Sequence, residues 1–279
     1  MELMMTSATS AASSKIIRRR KGFTLIELLV VIGILALLVG ILTPMVLRSW
    51  RNSKRARVAM DFQAISAALE SYRSAFGDYP RVVGTETGSQ ILCQALIAPG
   101  PATGAGQDGA DGPGFKLRGV AGQTYGPYLE PSKFKIGDPL NPTVSPPDPR
   151  NAVLLDVYGS PILYYPTNPG KPSASLDYVN SSENALLDAN DNLNQMGLNG
   201  LYVFYHATSD TPANATTRLR AMLGDLNDNG IINGTEITVN VGPYVLWSCG
   251  PDETFGTASL APSQQDVNDC DDVTTFKSF

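Results

Sequence analysis

Histidine and cysteine are scarce in this chain of 279 residues: one histidine, His206, and three cysteines, Cys93, Cys249 and Cys270. That leaves little for a zinc centre of the usual Cys/His kind or for a Cys/His catalytic pair. There is no Gly-rich phosphate loop and no G-x-S-x-G nucleophile turn, so neither nucleotide chemistry nor acyl transfer has a motif to stand on. No internal repeat is present. Because no catalytic constellation stands out, an enzyme is not expected. Positive charge is scarce outside the N-terminus. Lys15, Arg18, Arg19, Arg20 and Lys21 against Glu2 put residues 1–22 at +4, so with a formal net charge of −5 the remainder carries −9. An acidic body argues against nucleic-acid binding and suits divalent cations.

What the chain does have is one long apolar run. Leu28 to Leu47 is twenty residues without a charge, enough to span a bilayer core at about 1.5 Å per residue. Gly33, Gly40 and Pro44 interrupt it, as a membrane helix tolerates. The run is too long for a secretory signal and no small-x-small cleavage site follows it. Basic residues flank it on both sides (Arg48, Arg51, Lys54, Arg55 and Arg57 follow closely), so charge bias alone leaves the orientation nearly tied. The puzzle is Glu27, an acid at the head of the run, where a lone carboxylate in lipid costs several kcal/mol on most scales (roughly 3 kcal/mol or more).

The stretch RRRKGFTLIELLVVIGILALLVGILTP, residues 18–44, resembles the leader junction and N-terminal helix shared by type IV pilins and type II secretion pseudopilins. The resemblance implies cleavage between Gly22 and Phe23 by a prepilin peptidase, N-methylation of Phe23, and an assembly role for Glu27. It also places the leader in the cytoplasm and the body in the periplasm, which resolves the orientation. Cleavage would create a positive amine at Phe23, and one subunit's Glu27 would neutralise the amine of its neighbour, so that the cost of the lone charge favours assembly.

Beyond the span, Val58, Phe62, Ile65, Leu69, Tyr72 and Phe76 recur at helical spacing, with Arg51, Lys54, Arg55, Arg57 and Asp61 mainly off that stripe. FGDYP ends the pattern at Gly77 and Pro80. The expectation is a helix from about Phe23 to Phe76, roughly 80 Å long, whose second half buries its stripe against a folded head. Residues 81–150, rich in Gly and Pro, read mostly as loop, with a short helix around Ser89–Ile97. Strand-like runs follow at Pro161–Tyr165, Leu201–Tyr205 and Tyr244–Ser248. The fold class expected is α+β: a long N-terminal helix packed on a small antiparallel sheet. The divisions are a leader over 1–22, a hydrophobic helix over 23–47, its amphipathic continuation over 48–77 and an extracytoplasmic head over 78–279.

The segment DLNDNGIINGTE, residues 225–236, fits the calcium-loop pattern D-x-[DN]-x-[DN]-G-x5-E at every specified position. Asp225, Asn227 and Asn229 offer side-chain oxygens, Gly230 the sharp turn, Ile231 a carbonyl, Asn233 a ligand directly or through water, and Glu236 a bidentate carboxylate. A helix could precede it over Thr217–Leu223, but TEITVNV after it reads as strand. The alternative is an Asn/Gly turn with no metal. The related DANDNLNQMGLN at 188–199 lacks the glycine and closing acid and reads mostly as loop.

Further resemblance narrows the family. DVYGSPILYY at 156–165 and LWSCGPDETFGT with DDV at 246–257 and 271–273 look like segments of the major, G-type pseudopilin of type II secretion, whose terminal loop binds calcium. Tyr158 stands where that family usually has Trp, and about 13 residues, Ala258 to Cys270, intervene before DDV. The resemblance implies Asp271 and Asp272 as calcium ligands, with backbone oxygens near Leu246, Ser248 and Val273. Cys249 and Cys270 bracket this loop, and a disulfide between them stands beside the alternative of two thiols, with Cys93 the odd one out. The function implied is a non-enzymatic subunit, stored in the inner membrane, that self-assembles with other pseudopilins on an inner-membrane secretion platform into a periplasmic filament. The alternatives are a type IV or minor pilin for adhesion, motility or DNA uptake, and a calcium-dependent binding module on a pilin-type anchor.

Overall fold

The structure is a computed structural model describing residues 24–82, 84–98, 115–116, 124–141, 143, 147–149, 151–168, 179–180, 186–197, 200–232, 236, 239 and 242–276. The chain divides into two compact units, Met1–Ser49 and Trp50–Phe279. One helix, α1 (Leu25–Phe76), starts in the first and ends in the second. It opens on a reciprocal cap: the Glu27 amide donates to the Thr24 hydroxyl (3.3 Å) and the Thr24 amide to the Glu27 carboxylate (2.8 Å). In the first unit, every side chain from Thr24 to Ser49 is exposed. This segment is long and apolar enough to cross a membrane.

In the second unit the expected stripe is the buried one. Val58, Phe62, Ile65 and Leu69 are buried, with Ala68 beside them, while Tyr72 and Phe76 are half-buried at the end. There, rings take over from aliphatic packing, Tyr72 meeting Tyr128 at 5.8 Å and Phe76 meeting Tyr125 at 5.1 Å between centroids. Gly77 stops the helix in the left-handed region (φ +86°), its amide donating to the Arg73 carbonyl at 2.7 Å. Helix α2 (Gly88–Leu96) follows the expectation and starts on a capping box between Thr87 and Gln90.

The sheet that organises the head has three antiparallel strands, β1 (Leu163–Pro166), β2 (Tyr244–Ser248) and β3 (Val273–Thr274), with β2 central. Leu163 pairs with Trp247, and Ser248 with Val273. Its side chains alternate between two cores, as a period of two demands. Ile162, Tyr164, Tyr244 and Leu246 face the α1 stripe and α2. Leu163, Tyr165, Val245 and Trp247 face the other core, built with helix α4 (Pro212–Met222), Phe204 and Phe255. Burial on both faces explains why YVLWS is continuously apolar up to Ser248. Smaller antiparallel pairs join Lys135–Gly137 to Val153–Leu155 and Phe115–Lys116 to Thr124–Tyr125, and a two-residue parallel pair joins Val179–Asn180 to Leu187–Asp188.

Two expectations change, and a third falls mostly outside the described residues. Leu201–Tyr205 is a turn, not a strand, with one bridge from Tyr202 to Met196. Phe204 adopts φ +62° and its carbonyl accepts from the buried Arg218 guanidinium at 2.8 Å. A side chain thus satisfies the backbone that a ladder would have paired, and Phe204 still reaches the core, edge-on to Trp247 at 5.1 Å. Segment 188–199 holds a short helix, α3 (Asn190–Leu193). Its buried Asn192 accepts from the Ser89 amide and hydroxyl (3.1 Å each) and donates to the Tyr164 carbonyl (2.8 Å), locking α2 to β1. The strand expected over 235–241 lies mostly outside the described residues, and Glu236 and Val239 within it are not in a strand.

Candidate cation-binding loops

Helix α4 runs directly into the first loop, the Asp225 amide donating back to the Arg220 carbonyl at 3.0 Å. Asp225 is 2% exposed, and its carboxylate accepts from the Gly230 amide (2.7 Å) and the Asn229 amide (3.2 Å). Gly230 sits at φ +81°, the turn for which the pattern reserves glycine. From the far end of the motif, Glu236 accepts from the Leu226 and Asn227 amides at 2.9 and 3.1 Å. Asn227 and Asn229 direct their side-chain oxygens to the Asn229 and Ile231 amides at 3.1 and 2.8 Å. Asp228, unspecified in the pattern, is turned away at φ +54° to Arg220 (2.8 Å) and Thr217 (2.8 Å). Asn233 lies outside the described residues.

The loop therefore gathers oxygens from positions 225, 227, 229 and 236 and excludes the one carboxylate that the pattern leaves unspecified. Burial raises the Asp225 carboxyl above the usual range, and the charge of Glu236 raises it further. Two carboxylates held on one loop, both oxygen donors, fit a hard divalent cation. The flanks are α4 before and no described helix or strand after.

The second loop runs from the end of β2 to β3. Asp272 is 4% exposed, and its Oδ2 accepts from the Trp247 indole (2.7 Å) and the Gly256 amide (2.8 Å). Its Oδ1 is buried with no hydrogen-bond partner. Donor atoms of Cys270, Asp271 and Asp272 all lie within 4.8 Å of one another. Burial drives the Asp272 carboxyl well above the usual range, with Asp252 and Asp271 adding to the shift, and Asp271 is raised by burial and by Asp252. Gly250, at φ +74°, is required here: a Cβ would stand 2.5 Å from the Asp271 carbonyl.

The Leu246 carbonyl accepts from the Thr275 amide at 3.1 Å, and Ser248 and Val273 are ladder partners, so these three lie in or beside the sheet. The Ser248 hydroxyl makes a short bond to the buried Asp156. Cys249 and Cys270 are not joined; all three cysteines remain thiols. Cys249 lies within the apolar core and Cys270 is packed at its edge. Asp252, which sequence reasoning missed, stands close enough to repel both terminal aspartates. The intervening residues form helix α5 (Gln264–Asp269), started by a Ser263–Asp266 capping box, which walls a cavity of about 460 Å³ with Asp252, Asp266, Asp269, Cys270 and Asp271.

At the N-terminus, Glu27 is exposed, with Thr24 donating to its carboxylate through amide and hydroxyl, 2.8 Å each. Gly22 and Phe23 lie outside the described residues. A family profile described as the prokaryotic N-terminal methylation motif matches residues 17–43, the segment that holds this acid and the start of the apolar helix. The particular similarity is to type II secretion system core protein G. That of Klebsiella pneumoniae is 36% identical over 81 residues, covering 29% of this chain and 56% of the relative. That of Klebsiella michiganensis is 33% identical over 90 residues (32% and 61%), and that of Pseudomonas aeruginosa 36% over 75 residues (27% and 51%). The chain spans between about half and three-fifths of the length of these relatives. No solved structure matches it significantly. The methylation motif and these similarities support a type II pseudopilin of the G type.

Proposed function

We propose that this chain is a structural pseudopilin subunit: cleaved between Gly22 and Phe23 by a prepilin peptidase, N-methylated at Phe23, held in the inner membrane by α1, and assembled with other copies and other pseudopilins on a secretion platform into a periplasmic filament of type II protein secretion. The observation that carries this reading is α1 itself. Its first half leaves every side chain exposed and headed by Glu27, an arrangement stable only in lipid or against neighbouring copies. Its second half buries a stripe in the head. A carboxylate four residues after a newly made amine is placed to neutralise that of a neighbour. Calcium is the proposed occupant of the 225–236 loop, whose donors are all oxygen, and its role is to hold the segment after α4 in shape.

Mass spectrometry of the mature chain tests the reading: the N-terminus should be methylated Phe23, and any other N-terminus overturns it. Glu27→Ala should leave that cleavage and methylation intact while cysteine cross-linking between neighbouring copies is lost; unchanged cross-linking refutes the charge-pairing account.

A further inference from the structure

We propose that Arg51, Lys54 and Arg55 of α1 form a binding site for the phosphate of an anionic phospholipid at the membrane surface. The inference rests on the membrane-held reading of α1 and adds to it a lipid partner that neither the filament nor the calcium loop requires.

The first observation is an imbalance of charge. From Leu28 to Met60 the chain holds no acid, while Arg48, Arg51, Lys54, Arg55 and Arg57 crowd the stretch after the uncharged run. Among the described residues, Arg57, Arg73, Arg81, Lys133, Arg218 and Arg220 each stand within 3.7 Å of a carboxylate, and Arg51, Lys54 and Arg55 have no such partner. The second observation is how little these three use their donors. Arg51 and Lys54 are exposed, and the Lys54 Nζ rests 5.2 Å from the centroid of the Tyr158 ring, a contact that engages the charge without an acceptor. Arg55 is half-buried; one terminal nitrogen makes a single 3.4 Å bond to the Asp271 carbonyl, and its buried Nε has no hydrogen-bond partner. A guanidinium carries five donors in a fork that matches a phosphate, so the described chain by itself leaves this one under-used. Positions 51, 54 and 55 stand at i, i+3 and i+4, which brings the three onto one face over a single turn.

Position then selects the partner. Arg51, Lys54 and Arg55 come four, seven and eight residues after Leu47, the last residue of the uncharged run. Side chains of a helix lean toward its N-terminus, so these three lean toward that run. Trp50 beside them is 67% exposed, an indole of the kind that sits at the headgroup level of a bilayer. With the leader in the cytoplasm, the bases fall on the far side of the membrane, against the usual bias of basic residues toward the cytoplasm. An anion at that surface offsets the cost. A phosphodiester supplies the charge and the acceptors together, its oxygens accepting from the Arg55 fork and from the Lys54 ammonium. Clustered bases next to a membrane helix bind anionic headgroups in this way, whereas the choline of a zwitterionic lipid cancels the charge they would meet.

The test uses the full chain in phosphatidylcholine nanodiscs that carry a small, equal fraction of brominated phosphatidylglycerol or brominated phosphatidylcholine. Bromine quenches nearby tryptophan, and Trp50 is the reporter, since the second tryptophan, Trp247, is fully buried in the head and adds a constant background. The expected result is that the anionic lipid is enriched at Trp50 over the zwitterionic one by at least about fivefold, the factor a single base contributes beside an anionic surface. The enrichment should fall as salt rises. Arg51→Gln/Lys54→Gln/Arg55→Gln should abolish it. Arg51→Gln/Lys54→Gln, confined to exposed positions and so harmless to the fold, should remove most of it. Arg57→Gln should keep it, because that guanidinium is held by Asp61 at 3.1 Å. Equal quenching by the two lipids, enrichment that survives the triple substitution, or an equal loss in Arg57→Gln overturns the proposal. Displacement by inorganic phosphate beyond that by chloride of the same ionic strength shows a site for a free anion and overturns it too, as does a carbodiimide cross-link from Lys54 to a carboxylate of a second copy in place of the lipid. None of these outcomes touches cleavage at Gly22, which is read separately by mass.

Discussion

The Glu236→Gln substitution separates a calcium loop from a turn with acidic residues. Glutamine retains a side-chain oxygen that can accept from the Leu226 and Asn227 amides, the bonds Glu236 makes at 2.9 and 3.1 Å, and removes only the charge. Without calcium the substitution should be close to neutral, within about 1 kcal/mol, because it keeps both acceptors while relieving repulsion of Asp225. With calcium the two chains should part. At a free concentration one hundred times its dissociation constant, a ligand that binds only the folded state adds about 2.7 kcal/mol. For a head of this size each kcal/mol moves the melting temperature by about 2–4 °C, so the wild-type chain should gain about 5–11 °C. A hundredfold loss of affinity in the variant leaves about 0.4 kcal/mol, a shift of about 1–2 °C. Thermal melts of both full-length chains, with calcium and with chelator, make the comparison. Asp228→Asn serves as the control, since that side chain points to Arg220 and Thr217 and should leave the calcium response intact. An equal calcium shift in wild type and Glu236→Gln would refute the assignment; so would a variant already destabilised in chelator by the full difference.

Two further outcomes follow from the packing and the titration of the head. Ile65→Ala, at a fully buried position of the α1 stripe, should cost about 2–5 kcal/mol and lower the melting temperature by roughly 5–15 °C, while Gln63→Ala on the exposed face changes it little. Asp191 has its carboxyl pushed up to about 7 by burial and by Asp188, against the opposing pull of Arg81. A folded-state value above the unfolded one means the folded state holds the proton more tightly, so the contribution of this group to stability is complete below about pH 4 and is lost as pH rises through 7. The difference in unfolding free energy between wild type and Asp191→Asn should therefore vary over pH 4–7 in that sense, and a pH-independent difference would show that Asp191 titrates normally.

How much of this was legible beforehand depended on whether the information was local. The extent of α1 followed from a 3.6-residue stripe and a terminating glycine, and α2 and β2 fell within a residue or so of their expected bounds, because caps, breakers and apolar runs act on their own neighbours. The turn at Asp225–Gly230 was legible for the same reason: the pattern encodes its own bend, with Gly230 at positive φ and its amide donating to Asp225. Leu201–Tyr205 was misread since its strand-like composition is overruled by Arg218, fourteen residues away, whose guanidinium claims the Phe204 carbonyl. Composition cannot register a partner supplied by another element.

The terminal loop marks the division most clearly. The resemblance named Asp271 and Asp272 as calcium ligands, and the positions of Cys249 and Cys270 bracketing the loop could be read along the chain. Only the tertiary structure decided that Asp272 would be driven under Trp247 with one oxygen unmatched, that Asp252 would converge on the same place, and that the Leu246 carbonyl would accept from Thr275 within the sheet. The physical reason is one of range. Periodicity, caps and turn chemistry are set by residues a few positions apart and can be read along the chain. Desolvation of a carboxylate, and the approach of the Trp247 indole and of Asp252 to Asp272, depend on which segments share a surface, and that is settled only when the cores on the two faces of the sheet close.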